Sequence, residues 1–434
     1  MTETYVRQFE SLARTDETAG RGWFAALRRT AMGRFTEAGF PTTRDEDWRF
    51  TSVVPITQGT FAAAPLTPVA VSAIEPFLFG HPEWTRLVFV DGHFSAELSL
   101  LTSLPKGVTV GNLPEALTRQ GALLEPHLAR YAQKSGSGFT ALNTALMQDG
   151  AFVHVRSGAE TPMPVHLVYV ASAGAEGSVS HPRTLVLVEP GARASVIESY
   201  VALAPGARYF TNAVTEVVVG DGAWLEHTRL QRESECAYHV GLTNVEQGRD
   251  SHYRSFTLAM GGLIARHDLH AWLNASNIET LLYGLYLTRA TQLADNHTAI
   301  HHEHPNCRSW EVYKGVLDEH SRAVFNGKVF VTPEAQKTDA KQTNRNLLLS
   351  DGARVDTKPQ LEIFADDVRC THGATVGRLD DVALFYLQSR GIARDTARRL
   401  LIYAFAAEVV AEVALAPVRE ELDRLVLDRV GYAG

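Results

Sequence analysis

The spacing of hydrophobic residues at the start of the chain predicts that the first fifty residues are helical up to a charged turn that begins at Pro41. The apolar positions fall on one helical stripe: Trp23, Phe24, Leu27, Ala31 and Phe35. Gly39 follows the last of these positions and Pro41 comes shortly after it. Glycine just past a helix, with proline close behind, is typical of a helix end.

The pattern from residue 41 to residue 150 is mixed. Residues 41–51 are charged and predict an exposed turn that Trp48 holds against the core. Residues 87–90 form an apolar run closed by Asp91 and Gly92, which predicts a short buried strand and a turn. Residues 123–131 predict a further helix.

From about Gly150 the pattern changes and stays changed for some 230 residues. Short β-rich runs alternate with turns rich in Gly, Asp and Asn, as in residues 184–188, 215–219, 323–331 and 361–364. A solenoid accommodates such a length because each added coil buries the face of its neighbour. The polar run at residues 337–344 also fits stacked ladders at coil corners better than a sandwich core. We therefore predict a mainly β fold built on a parallel β-helix.

After Gly377 the pattern returns to helix. Asp380 is placed to cap a helix that carries Val382 and Phe385 and ends at Gly391. A longer helix is predicted from about Ala393 until Pro417. Apolar residues cover more of its surface than a single buried face requires. The helix therefore either packs on two sides or binds a partner protein.

Composition narrows the class of protein. The chain has 434 residues, 45% of them hydrophobic and 21% charged, with a net charge of −8. These values exclude a disordered chain and an overall basic nucleic-acid binder. No apolar run reaches the ~18 residues of a membrane span, and residues 1–5 do not begin a secretory signal. Three cysteines without a CxxC pair indicate a reducing compartment, so we expect a cytoplasmic protein.

Most catalytic motifs are absent from the sequence. Gly327 and Lys328 lack the remainder of a P-loop, and neither a GxGxxG fingerprint nor a GxSxG elbow is present. His302 and Glu303 would need a histidine at position 306 for a zinc-protease motif, but that residue is Asn306.

A histidine cluster at residues 297–304 leaves two interpretations open. In a strand, His297 and His301 project from one face, whereas His302 and His304 project from the other. The cluster is either a metal site of a stand-alone metalloprotein or a polar solenoid corner.

Cys370 and His372 form a second candidate metal site. Their i, i+2 spacing in a strand places both side chains on one face. Thiolate and imidazole are both good iron ligands, but two ligands leave a site incomplete. The remaining ligands would come from another coil or another chain; the alternative is a buried thiol beside a hydrogen-bonded histidine.

A carbohydrate-active β-helix enzyme is a further alternative. Such enzymes line a solenoid face with acids, and this chain offers Asp351, Asp356, Asp366 and Asp367. Acidic residues at these positions are equally typical of turns.

The residues around Cys370 and His372 carry a resemblance to a known family. Residues 367–377 and 387–392 strongly resemble the SufB/SufD family of the SUF iron–sulfur cluster assembly system, with support from residues 41–48, Thr51, 142–145 and 323–327. Gly373 stands where SufB-like chains look to carry a glutamate, and Asp351 where they carry a cysteine. Both departures separate this chain from the SufB branch.

The resemblance implies an architecture in three parts. These are an N-terminal, largely helical α/β domain at 1–150, a right-handed parallel β-helix at 151–379, and a C-terminal helical domain at 380–434. The implied role is that of a non-enzymatic scaffold with no tightly bound cofactor, at which iron or an Fe–S cluster is handled transiently.

The resemblance also implies partners and site residues. A SufC-like ATPase would bind the C-terminal helices, and a SufB-like paralogue would pair with the β-helix edge, where the isolated chain could form a homodimer. His372 would be the iron ligand at that interface and Cys370 the accompanying thiol. The residues expected in the SufC dock are Arg390, Gly391, Ile392, Leu401 and Phe405. Nucleic-acid and membrane partners are not expected.

Overall fold

Two β-sheets, to which the chain contributes alternately, form the centre of the computed structural model, which describes residues 2–15, 22–101 and 104–431. The strands are β1 (Ala62–Ala63), β2 (Arg86–Val90), β3 (His93–Phe94), β4 (Val108–Asn112), β5 (Gly150–Val155), β6 (Val165–Ala171), β7 (Ser178–Ser180), β8 (Arg183–Val188), β9 (Arg193–Ala202), β10 (Phe210–Val219), β11 (Trp224–Arg232), β12 (Tyr238–Gln247), β13 (His252–Ala259), β14 (Ile264–Leu273), β15 (Glu279–Thr288), β16 (Leu293–His302), β17 (Arg308–Leu317), β18 (Arg322–Val331), β19 (Asp339–Leu348), β20 (Arg354–Ile363) and β21 (Arg369–Gly377).

The helices flank these sheets at both ends of the sequence. They are α1 (Thr2–Thr15), α2 (Gly22–Ala38), α3 (Val54–Gln58), α4 (Val71–Ile74), α5 (Leu113–Leu124), α6 (Gly138–Leu146), α7 (Asp381–Ser389), α8 (Arg394–Val410) and α9 (Ala416–Arg429). Within the described ranges no helix is long and apolar enough to cross a membrane.

The sheets are those of a parallel β-solenoid, which confirms the predicted fold class. From β8 onward, each strand pairs in parallel with the strand two places later: the first sheet runs β8, β10 and on to β20, and the second runs β9, β11 and on to β21. The N-terminal segment joins the same sheets, since β2 pairs with β6 and β4 with β5. Each coil therefore adds one strand to each sheet.

In-register stacking fills the interior of the early coils. Phe89, Tyr169 and Tyr200 occupy matching positions on β2, β6 and β9. Their rings stack with centroids 5.1 and 4.9 Å apart, within the range that favours aromatic pairs. The β-rich pattern thus encodes a core built as ladders of like residues.

The later coils have a polar interior, and here the sequence prediction was wrong in one respect. Within the run 337–344, Gln342 and Asn344 lie inside strand β19 and are buried, rather than at a coil corner. Asn344 Nδ2 donates a hydrogen bond to the Tyr286 hydroxyl at 3.0 Å. Buried amides are tolerated because such partners replace water.

The N-terminal predictions are confirmed around α2. Gly39 adopts a left-handed backbone (φ 66°), and its N–H donates to Phe35 O at 2.8 Å. Trp48 is buried, and the Arg266 guanidinium lies 3.7 Å from the centre of its ring. The charged turn is therefore fixed to the outer face of the first sheet.

The helix predicted at residues 123–131 is wrong. Helix α5 ends at Leu124, and turns follow. The buried Glu216 carboxylate accepts hydrogen bonds from the N–H groups of Ala129 and Tyr131, at 2.7 and 2.8 Å. These bonds from a distant strand replace helical ones, and Ala129 has a positive φ (58°) that no helix permits.

Up to residue 431, where the described part of the chain ends, the C-terminal region has three helices where two were predicted. Helix α7 is capped by Asp380, whose carboxylate accepts from Val382 N at 2.8 Å, as expected. Helix α8 ends at Val410, and Pro417 lies in the first turn of α9 rather than ending α8. Proline is favourable in a first helical turn because the N–H it lacks has no partner there.

Helix α8 is packed on two sides. Ile402, Ala406 and Val409 are buried in one cluster with residues of the second sheet and with Leu422 of α9. This packing explains why apolar residues cover so much of the surface of α8. The most exposed large apolar residues described for this region lie on α7 instead.

Candidate functional site

The last coil of the solenoid has free strand edges. Among the described residues, β20 pairs only with β18, and β21 only with β19. Strand β21 is exposed along nearly its whole length. A row of unpaired N–H and C=O groups is a template for a strand of another chain. We call β20 and β21 with their free edges the open end.

Cys370 and His372 both lie on β21 and point to the interior side of the second sheet. Cys370 is in register with Ala340, and His372 with Gln342, both buried inward residues of β19. His372 is exposed because no further coil covers it. The structure therefore places the two predicted site residues together, on the open end.

Cys370 is not an activated thiol in the isolated chain. It is half-buried and packs against Val329, Val331 and Ala365. Burial raises its pKa above the ordinary value of a thiol, because desolvation disfavours the thiolate. Iron binding by this sulfur would have to displace a proton.

A polar column below His372 was missed by the sequence reasoning. Glu311, Gln342 and His372 occupy matching positions on β17, β19 and β21. Gln342 Nε2 donates to Glu311 Oε2 at 2.7 Å, and burial raises the pKa of Glu311 to about 7. The polar run at 337–344 was the available signal, but the residue across from Gln342 depends on the register between strands.

The two side chains on β21 do not make a complete metal site. Within the part of the chain that the structure describes, no three His, Cys, Asp or Glu side chains are grouped to hold a metal ion. Iron at His372 would therefore need ligands from a second chain, with iron as the cargo rather than as a resident cofactor.

The histidine cluster at 297–304 is divided between three environments. His297 and His301 lie on the outer face of β16, whereas His302 points inward, its Nε2 2.8 Å from Ser309 Oγ. His304 is exposed beyond the strand. Burial lowers the pKa of both His301 and His302 to about 3. The geometry does not gather these rings around one point.

The acids of the alternative enzyme model are mostly engaged in ion pairs. Asp351 pairs with Arg378 at 2.5 Å, Asp356 with Arg322 at 3.2 Å, and Asp367 with Lys337. Asp351 and Asp367 are neutralised at turns and Asp356 is neutralised within strand β20, whereas Asp366 is simply exposed.

The predicted dock residues fall into two groups. Arg390 and Gly391 are exposed and Ile392 is half-buried, at the turn between α7 and α8. Leu401 and Phe405 are half-buried on α8, and the Lys314 Nζ lies 4.5 Å from the Phe405 ring centre. Phe405 thus packs against the solenoid.

Among the described residues of the C-terminal region, the most exposed large apolar side chains lie on α7 instead. Val382, Phe385 and Tyr386 are 75%, 71% and 57% exposed. A contiguous exposed apolar patch of this kind indicates a protein interaction surface. We call these three residues the α7 patch.

Comparison with known proteins agrees with this architecture. Residues 169–405 match the model for "SUF system FeS cluster assembly, SufBD core domain", and residues 1–167 match the SufBD protein N-terminal region. An iron–sulfur cluster assembly SufBD family protein of Synechocystis sp. is 36% identical over 396 residues, covering 89% of this chain and 86% of the relative. The SufD protein of Escherichia coli is 34% identical over 410 residues (92% and 90%), and that of Bacillus subtilis 27% over 418 (94% of each).

Proposed function

This chain belongs to the SufBD family of iron–sulfur cluster assembly proteins, and from that premise we propose that it is a non-enzymatic scaffold subunit. It pairs with a SufB-like paralogue through the open end and carries a SufC-like ATPase on its C-terminal helices. Iron or a nascent cluster is handled where the two scaffold chains meet. Its three free cysteines support a cytoplasmic location.

The observation that carries this proposal is the position of Cys370 and His372 at the open end. Two potential iron ligands point over an interior that no further coil covers, beside a strand edge with free hydrogen-bonding groups. A paired chain would both extend the sheets and supply the missing ligands. Burial raises the pKa of the Cys370 thiol, so metal binding by this sulfur would have to displace its proton.

The C-terminal region supports the ATPase partner. The α7 patch offers apolar area next to Arg390 and Gly391, and aromatic residues with arginine are the residue types that dominate protein interfaces. No P-loop is present in the sequence, so ATP hydrolysis belongs to the partner.

The test is replacement of His372 by alanine. In a host strain that lacks its own copy, His372→Ala should lower cluster delivery to an Fe–S enzyme at least tenfold, while the variant still co-purifies with the SufB-like and SufC-like proteins. His372 is exposed, so the fold should be unaffected.

The matched control is His304→Ala, which removes another exposed histidine away from the open end. Normal cluster delivery by the His372 variant would refute the site. Failure of the wild-type chain to co-purify with either partner would refute the scaffold role.

A further inference from the structure

We propose that Gln342 is a positioning residue for His372 at the open end. Its Oε1 accepts one ring N–H of His372, which leaves the other ring nitrogen to bind iron. The inference deepens the proposed function, because it rests on His372 being the iron ligand. Gln342 of β19 and His372 of β21 are in register, so their side chains project from the same side of the second sheet. Neighbouring strands lie about 4.8 Å apart, so a hydrogen bond between these two side chains is within reach.

The amide of Gln342 is held in one orientation. Its Nε2 donates to Glu311 Oε2 at 2.7 Å, and the two residues are only 2% and 1% exposed. The amide also lies against Gly327 of β18, where a Cβ would overlap it. Because the amide nitrogen and oxygen point in different directions, the bond to Glu311 turns Oε1 away from the coil below.

The Oε1 of Gln342 lacks a donor. It is buried and has no hydrogen-bond partner among the described residues. Buried polar side-chain atoms in native proteins nearly always have a partner. This oxygen therefore calls for a donor on the side of the amide that Glu311 does not occupy.

The His372 ring is the donor best placed to reach this oxygen. Across the interior of the last coil stands Pro359, in register with Gly327, and proline has neither an N–H nor a polar side chain. Cys370 packs in an apolar cluster, and Ala374 has no polar side-chain atom. The exposed His372 ring can turn onto the amide, since no further coil covers it.

Such a hydrogen bond prepares His372 for a metal ion. A neutral imidazole has one N–H and one unprotonated nitrogen, and the two tautomers differ in which nitrogen holds the proton. A hydrogen bond from the N–H fixes the tautomer and the direction of the ring, and it raises the basicity of the other nitrogen. Glu311 reinforces the effect, because the carboxylate polarises the amide that it holds.

Nitrogen-15 NMR of the histidine rings in the full chain tests this hydrogen bond without iron. The His372 signal is the one that His372→Ala removes. At about pH 8.5, where free imidazole is neutral, wild-type His372 should show a single tautomer. Gln342→Leu should convert it to the tautomer mixture of a free imidazole, which exposed His304 supplies as an internal reference.

The matched control is Asn346→Leu. It removes another buried amide of β19, in register with Val376 rather than with His372, and should leave the His372 signal unchanged. A tautomer mixture in the wild type, or the same single tautomer in Gln342→Leu, would overturn the proposal. An equal effect of the control would also overturn it, since the change would then reflect general loosening of the last coil. Gln342→Met, which keeps the side-chain length, takes the place of Gln342→Leu if that variant fails to fold.

Binding of ferrous iron separates this inference from the proposed function. The complex of this chain with the SufB-like protein is titrated with Fe²⁺ under anaerobic conditions. Gln342→Leu should weaken binding about tenfold, as expected when the hydrogen-bond partner of a metal ligand is lost. His372→Ala should weaken it far more, because the ligand itself is lost.

The two possible failures of the titration are distinct. Wild-type affinity in His372→Ala would refute the iron site of the proposed function, with the hydrogen bond still decided by the NMR spectra. Weak binding by His372→Ala together with wild-type affinity in Gln342→Leu would refute the positioning role alone.

Discussion

Glu311 shows how a single buried side chain couples the solenoid interior to pH. Its carboxyl is buried two strands below His372 in the second sheet and accepts a hydrogen bond from Gln342. Burial raises its pKa from 4.5 to about 7, because water no longer stabilises the carboxylate. At slightly acidic pH the folded chain therefore holds a proton here that the unfolded chain has released.

Replacement of Glu311 by glutamine should flatten the pH dependence of stability. The folded pKa lies above the unfolded one, so the stabilisation from this proton is complete below pH 4.5 and is lost as pH rises through 7. The wild type should lose up to about 3 kcal/mol of unfolding free energy from this group between pH 5 and 8, and Glu311→Gln should not. Urea denaturation across this range measures the difference; Glu362→Gln, on the outer surface, should retain the wild-type slope.

Phe405 contributes to stability through its contact with the solenoid. Its ring lies under the Lys314 ammonium and packs with the α8 cluster. Phe405→Ala should lower the unfolding free energy by about 2–3 kcal/mol, since a large half-buried side chain is removed. Thermal unfolding tests this against Tyr386→Ala, which removes an exposed ring. Equal melting temperatures for the two variants would contradict the packing role.

At the scale of elements, α7 differs from α8 and α9 in its exposed apolar surface. Of its residues only Leu384 is buried, whereas Val382, Phe385 and Tyr386 face solvent. Helices α8 and α9 bury their apolar residues against the second sheet and each other. The helix with least intramolecular support is therefore the one that presents the patch.

Introducing a charge into the α7 patch should disrupt ATPase docking without unfolding the chain. Phe385→Asp should weaken capture of the SufC-like partner at least tenfold, since an aromatic anchor is lost and a charge is placed in the interface. Surface plasmon resonance with purified partner gives the affinity. Leu66→Asp makes the same change at another exposed residue, 77% accessible, and should bind normally. Unchanged binding by Phe385→Asp would move the dock elsewhere on the C-terminal region.

Element ends were predictable from sequence where the deciding contacts are local. Gly39 ends α2 and Asp380 caps α7 through bonds within four residues. The path of residues 125–131 was not predictable, because Glu216, which accepts from the N–H groups of Ala129 and Tyr131, is 85 or more residues away. Pro417 was ambiguous for a different reason, since proline is equally suited to follow one helix or to begin the next.

At the scale of the molecule, the open end allows a sharp test of chain pairing. The Arg369 N–H donates to Thr338 O at 2.8 Å, so Arg369 faces β19. Successive residues of a strand direct their N–H groups to opposite sides, which places the N–H of Ala374 on the free edge. Proline there removes one outward donor and leaves the bonds to β19 in place.

Ala374→Pro should therefore abolish pairing with the SufB-like chain, and also any self-association of the isolated chain, while thermal stability and binding of the SufC-like partner are retained. Light scattering coupled to size exclusion reports the masses. Ala374→Val keeps the donor and should pair as the wild type does. Pairing by the proline variant at wild-type strength would show that the interface does not use this edge.

The solenoid itself was predictable because its signal, short strands at even spacing, is repeated along some 230 residues. The site was predictable only in part. Cys370 and His372 are neighbours in sequence, so strand periodicity sufficed to place them on one face. The place of Glu311 below His372 depends on the register between strands about thirty residues apart, which no local pattern determines.

Among the strands that the structure describes, β20 and β21 have one hydrogen-bonded neighbour each, whereas strands in the middle of either sheet have two. In a solenoid each coil is stabilised only by contacts with the adjacent coils. The final coil therefore unfolds first when the chain is heated or denaturant is added. A subunit that binds there supplies the missing neighbour of the last strands, and so stabilises the fold of the final coil. Proteolysis would then distinguish the two states of the subunit. The unpaired chain has a locally unfolded final coil that proteases can cleave, whereas pairing protects that coil.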